Sequence, residues 1–387
     1  MSNRRWTLSE LLDIDFFLRL DEGEDLDRLT ARDRKIQATF PQPSEQIQGQ
    51  APGQPPRQTA KKAAKKSKTS DIPLLRHWLA ARKTAHNEEH AANTPGAIWQ
   101  ELFLAFSIAV VLAGFISGAG MAFSFLAYSG TEPINVTLYF TLFVLLQVAL
   151  FLLLGASSLL GYLRGSSILE ASLLYKCMGW LFSTLLQKLT AAAHRQVEGR
   201  LSAENRLHWA VRTATLKQLR QRYGLLFLRP FFLLGQLAGI SFNCGVLAAT
   251  LLKVIGADLA FGWQTTLQVE SASVHLLVQR IALPWSWLPS WLPIPASPTL
   301  EQVEGSRLIL KEGIYHLANR DLAAWWPFLC LAVLCYGLLP RLVLFLAVFL
   351  RQRRQLSTAS PDQGRCRQLL HRMRSPVVST KARVEAR

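Results

Sequence analysis

FLAFSIAVVLAGFISGAGMAFSFLA, residues 103–127, contains no Asp, Glu, Lys or Arg. At about 1.5 Å per residue, a helix of that length exceeds the roughly 30 Å of bilayer hydrocarbon. Only a helix satisfies its own backbone polar groups in that setting. Three further windows, about 136–160, 225–252 and 326–350, are as long and nearly as apolar, with Arg229 in the second and Arg341 in the third as their charged residues. They reconcile two facts that otherwise conflict: half of the 387 residues are apolar, yet the formal charge is +17. The expected fold is all-α, an integral membrane protein with four transmembrane helices plus cytoplasmic and interfacial amphipathic helices.

Charge orients the spans. The turn YSGTEPIN, 128–135, has no Lys or Arg, whereas 161–224 carries ten against three acids. Residues 253–325 carry five against six, and 351–387 carry ten against two. By the positive-inside rule both termini and the 161–224 loop face the cytoplasm. The N-terminus MSNRRWTLSELLDIDFF alternates acids with apolar residues and lacks the apolar run of a secretory signal. The first span is thus expected to be the first segment that the insertion machinery meets. The basic excess sits beside spans, where anionic lipid headgroups account for it, so nucleic acid is not an expected partner.

Outward from the spans, Thr7-Leu-Ser-Glu10 matches a capping box. Leu8, Leu11, Leu12, Phe16 and Leu20 approximate one apolar face, and a second short helix carries Leu26, Leu29 and Ile36. This hairpin, 1–40, is too small to bury a core alone and must dock on something. Residues 41–70 read as a disordered Pro/Gln/Lys linker. Residues 71–102 read as a juxtamembrane amphipathic helix, with Leu75, Trp78 and Leu79 lying along the inner membrane interface. The first transmembrane hairpin occupies 103–160. In the loop 161–224, LLYKCMGWLFSTLLQKLTAA (173–192) could pass for a fifth span. Lys176 and Lys188 leave only eleven residues between them, so a cytoplasmic or interfacial helical hairpin is favoured.

Between the third span, 225–252, and the fourth, 326–350, lies an outer cap, 253–325. Its LPWSWLPSWLPIP, 283–295, packs three Trp and four Pro into thirteen residues. Proline forbids a continuous helix, and Trp favours the headgroup layer. Trp263, Trp285, Trp287, Trp291, Trp325 and Trp326 are therefore expected at the outer interface. The tail, 351–387, is read as a basic cytoplasmic extension.

Few motifs suggest chemistry. His86-Asn-Glu-Glu-His90 matches the inverted zinc-protease pattern, but no soluble domain surrounds it to supply a third ligand and a cleft. Cys177, Cys244, Cys330, Cys335 and Cys366 form no C-x-x-C pair. Neither a cofactor nor a metal site is expected. Gly114 and Gly118 in the first span, and Gly235 and Gly239 in the third, have the spacing that lets helices approach closely. Asn243 and Gln236 add polar groups at depth. Arg341, after Pro340, is the charge placed deep in a span; it either snorkels to the inner headgroups or serves a buried partner.

Several words resemble a family of bacterial inner-membrane proteins of unknown function. They are RRWTLSELLDIDFFLRLDE (4–22), DLAFGWQTTL (258–267), ALPWSWL (282–288), LEQVEGSRLILKEGI (300–314), AAWWPFL (323–329) and YGLLPR (336–341). The resemblance covers roughly 5–350, with the linker and the basic tail individual to this chain. It implies an inner-membrane location and, since members are often encoded beside a P-loop GTPase, a GTPase as cytoplasmic partner. It carries no catalytic residues. The expected function is a non-enzymatic membrane scaffold or receptor for that partner. The alternative is a homo-oligomeric channel or transporter using Arg341, Asn243 and Gln236. A third reading, an enzyme on envelope lipids, would draw on His275, His316, Glu301, Glu304 and Glu312.

Overall fold

A computed structural model of the chain describes residues 6–41, 71–86, 88, 94–128, 133–163, 225–265, 269–287, 295–308, 319–358 and 363–374. These form two units. The loop 161–224 and the 41–70 linker lie almost wholly outside the described residues, as do Cys177, Glu89, His90 and Trp291.

Among the described residues, the first unit is built mainly from the two ends of the chain. Helix α1, Leu8–Leu20, opens with the capping box: Thr7 Oγ1 accepts from Glu10 N at 3.2 Å, and Glu10 Oε2 accepts from Thr7 N at 2.8 Å. A single 3-10 turn, Asp21–Gly23, leads to α2, Leu26–Ala38. The hairpin docks within its own chain. Helix α3, 71–86, and the C-terminal helix Gln363–Arg374 both belong to this unit. The C-terminal helix packs on α2 and buries Cys366, Leu369 and Met373, which recur at helical spacing. The tail is therefore partly a folded element rather than a free basic extension.

Two expectations are corrected here. Leu74, Leu75, Trp78 and Leu79 of α3 are buried by protein, so the apolar stripe is not spent on the membrane interface. Trp78 meets the Phe17 ring edge-on at 6.4 Å, and its Nε1 donates to Asp33 at 2.9 Å. The His86 ring packs against Phe16 and Phe17, with centroids 5.7 and 5.6 Å away. Helix α1, in turn, is buried on nearly every side rather than on one face, because it lies among several helices.

The second unit holds the spans found among the described residues: Pro95–Phe125, whose first turns belong to the first unit, Val136–Ser157, Arg229–Gly256 and Arg320–Leu356, whose last turn also belongs to the first unit. A Cβ on Gly114 would come within 2.7 Å of the Ala238 carbonyl, and one on Gly118 would strike Phe242. Residue numbers rise together, so spans one and three run the same way. Tyr139 bonds Thr250 at 2.8 Å, and Gly337 faces Asn243; spans two and four thus run against span three. Span two ends and span three begins at the same end of the bundle, as the charge pattern requires.

At the opposite end sits the cap. Strand β1, Ile134–Asn135, pairs in parallel with β2, Phe261–Gly262, in the register Ile134↔Phe261, and Trp263 bridges to Arg307. This ladder joins the short turn between spans one and two to the segment between spans three and four. Helices Ser271–Ala282 and Leu300–Gly305 follow, the latter opened by a Thr299/Gln302 capping box. Trp263, Trp285 and Trp325 are cap core rather than lipid belt: each is at most 4 % exposed. Their indole N–H groups bond inward, to the Val303 carbonyl at 2.6 Å, the Ala296 carbonyl at 3.2 Å and the Ser306 hydroxyl at 2.9 Å. Buried Trp needs such a partner, and the cap supplies it. Trp287 is exposed and Trp326 half-buried.

Candidate functional site

Span two contributes one amide, Gln147, from the turn that follows a π-helical segment, Thr141–Leu145. Span three contributes Asn243. Span four contributes Arg341, just after a second π-helical segment, Val333–Leu338. π turns are rare and recur at functional positions because they shift the hydrogen-bond register and re-aim side chains. Here two of them flank one polar cluster.

The amides pair reciprocally. Gln147 Nε2 donates to Asn243 Oδ1 at 2.8 Å, and Asn243 Nδ2 donates to Gln147 Oε1 at 3.0 Å. The second N–H of each goes to a backbone carbonyl, Phe143 at 2.7 Å and Gly239 at 2.9 Å. Every amide hydrogen is thereby used, which a buried polar group in hydrocarbon requires. Arg341 Nε donates to the same Gln147 Oε1 at 3.3 Å, and its guanidinium lies over the Phe151 ring, 5.0 Å from the centroid.

Two glycines make this possible. A Cβ on Gly239 would fall on the Arg341 guanidinium, and one on Gly337 would stand 2.7 Å from Asn243 Oδ1. Arg341 does not snorkel. Helical side chains lean toward the helix N-terminus, which for span four is the cap end. Its head follows that lean toward Gln147, which lies level with Gly337, one turn before Arg341. Among the described residues Arg341 makes no ion pair; an amide, an aromatic face and a glycine surround it.

The chain segment 184–387 matches the family described as protein of unknown function, DUF2868. This chain belongs to the DUF2868 family. The DUF2868 match takes in Asn243, Gly239, Gly337 and Arg341, while Gln147 lies before it. It also runs through the basic tail, which is thus no individual extension. An uncharacterized membrane protein of Neisseria meningitidis serogroup B is 34% identical over 99 residues, 26% of this chain and 19% of its own length. The match therefore spans about a fifth of that relative. No solved structure matches.

The other expected positions divide. Gly114 and Gly118 admit span three, joined by Gly245, whose Cβ would strike the Phe115 carbonyl. Gly239 instead admits a side chain. Gly235 borders open space and packs nothing. Gln236 is buried about two turns from Asn243, outside the hydrogen bonds of the cluster. His275 bonds Gln279 of its own helix at 2.8 Å, while His316 and Glu312 lie outside the described residues. The residue that pattern reading passed over is Gln147, although it is the one side-chain amide in the 136–160 window.

A second polar centre lies in the first unit. Asp21, 5 % exposed, receives Arg32 of α2 at 2.8 Å, Arg82 of α3 at 3.0 Å and Arg372 of the C-terminal helix at 3.5 Å. Burial pushes its carboxyl above the ordinary range, outweighing the Arg32 and Arg82 charges that pull it down. Asp33, fully buried, joins Arg32 at 3.3 Å, Arg372 at 3.0 Å and the Trp78 indole. Asp13 meets Lys83 at 2.5 Å and accepts the Gly96 N–H at 2.6 Å. That carboxylate therefore caps the start of Pro95–Phe125, the first membrane helix, where unpaired N–H groups and the helix dipole favour a negative charge.

Proposed function

We propose that this protein is a non-enzymatic scaffold or receptor of the bacterial inner membrane, multi-pass, with both termini in the cytoplasm. Its folded end unit is the docking surface for a cytoplasmic protein. The observation that carries the reading is the construction of that unit. Segments from before the first span and after the last fold together around Asp13, Asp21 and Asp33. Segments that meet in this way lie on one side of a membrane, and the Lys/Arg asymmetry assigns that side to the cytoplasm. Within that unit Asp13 accepts the Gly96 N–H at the start of the first membrane helix, so the unit is built onto the chain's entry to the membrane. The partner we propose is a P-loop GTPase, as the resemblance drawn from the sequence implies.

The alternative, a channel lined by Arg341, Asn243 and Gln236, draws less support. Asn243 and Gln147 commit their amides to each other, as groups that clamp helices do. The test is crosslinking of the tagged full chain in native membranes, followed by purification and fractionation. The GTPase should co-purify, and should leave the membrane fraction when this protein is deleted. Fractionation that does not change on deletion would overturn the reading.

A further inference from the structure

Spans one and three touch along Gly114, Gly118 and Gly245. Beside these contacts, towards the cap, residues of both spans line a cleft of about 450 Å³. Its floor is small: Ala119, Gly120, Ala248 and Ala249. Its walls are Phe115, Ile116, Phe123 and Leu252, all exposed at the protein surface. A Cβ on Gly120 would meet nothing within 4 Å, so the missing side chain itself leaves the floor open. From Phe115 to Ser124 the helix rises about 14 Å, close to half the roughly 30 Å hydrocarbon thickness, the depth of one leaflet.

At the cap end the cleft meets a charge. Lys253, half-exposed, follows Leu252, and its ammonium lies 4.0 Å from the centroid of the Phe123 ring that walls the cleft. An apolar slot one leaflet deep, with a cation at its headgroup end, has the chemistry of a diacyl phospholipid. We propose that this cleft is a binding site for an anionic phospholipid, with one acyl chain between spans one and three and the phosphate on Lys253. A slot facing hydrocarbon is always filled by some chain. What makes this a site is the combination of a shaped slot and a placed charge, which holds one lipid longer than its neighbours.

The test uses the full chain, delipidated in detergent and titrated with phosphatidylglycerol or phosphatidylcholine, read by native mass spectrometry. The wild type should hold one phosphatidylglycerol in preference to phosphatidylcholine. Gly120→Leu, which fills the slot, should lower retention of both by about tenfold, the range of one or two lost apolar contacts. Lys253→Gln should lower the preference for phosphatidylglycerol about fivefold while leaving phosphatidylcholine unchanged, since one basic group near a headgroup contributes about that factor. Gly155→Leu, which also adds bulk into open space but on span two, should bind as the wild type does. Circular dichroism keeps the comparison to folded variants; if Gly120→Leu does not fold, Gly120→Ala should give a smaller loss in the same direction. Equal retention by wild type and folded Gly120 variants would overturn the proposal. So would a wild type indifferent to headgroup charge, or a bound mass equal to a second chain in place of a lipid.

Discussion

The two polar centres solve one problem in two media. In the end unit, Asp21 and Asp33 gather arginines from α2 and the C-terminal helix, and Asp21 a third from α3. In the spans, Gln147, Asn243 and Arg341 join three helices with four amide hydrogens and a single guanidinium. Near water, ionised partners are affordable because solvent and neighbouring charges share the desolvation; in hydrocarbon each further charge would cost several kcal/mol. Neutral amides, which donate and accept at once, satisfy one another without adding charge and leave Arg341 as the single charged member of the cluster. The contrast teaches that medium decides which polar groups can join helices.

The comparison can be broken most severely at Asp33. Asp33→Ala leaves two arginines and an indole N–H without their shared acceptor, and removing one member of a buried ion pair costs about 3–5 kcal/mol. The expected outcome is loss of amide-exchange protection in 363–374 and 71–86, with protection in the spans unchanged. Retained protection in both helices would show that apolar packing alone holds the unit.

The span cluster should give a smaller effect. Asn243→Leu strands the Gln147 amide, and the expected loss is about 1–2 kcal/mol in a bilayer unfolding assay. Adding Gln147→Leu should cost less than the sum of the single changes, because each single change already breaks the shared amide pair and the loss of the Arg341 acceptor enters only once. Strict additivity would mean that the two side chains are not coupled.

The smallest effect concerns pH. Burial raises the Asp21 pKa above the ordinary aspartate value of 3.8, so between the two the folded unit binds a proton that the unfolded chain does not. Stability from this group therefore rises as pH falls through the raised value towards 3.8 and falls as pH rises. Against Asp21→Asn, the wild type should gain relative stability on acidification over that window in parallel denaturation curves. A relative loss there would mean that the arginines outweigh burial.

The four spans, the capping box at Thr7 and the prominence of Arg341 were legible because each is a local constraint. A bilayer demands an unbroken apolar run, a cap demands two residues three apart, and a charge in such a run stands out. Tryptophan was misleading. Chemistry alone suits it equally to a headgroup layer or to a core with a carbonyl within reach, and which of these holds for Trp263, Trp285 and Trp325 depends on residues 11 to 40 positions away. The Cys366, Leu369, Met373 stripe was visible in principle, but the surrounding arginines drew the reading towards a tail.

Sequence by itself determined the four spans found among the described residues and which loops carry the positive charge, since hydrophobic length and Lys/Arg placement act segment by segment. Only the tertiary structure decided that the two chain ends form one unit, that Gln147 completes the span cluster, and that Arg341 turns inward. Those are pairings between distant residues. Their energy depends on distance and desolvation, and neither is written in any one stretch of the chain.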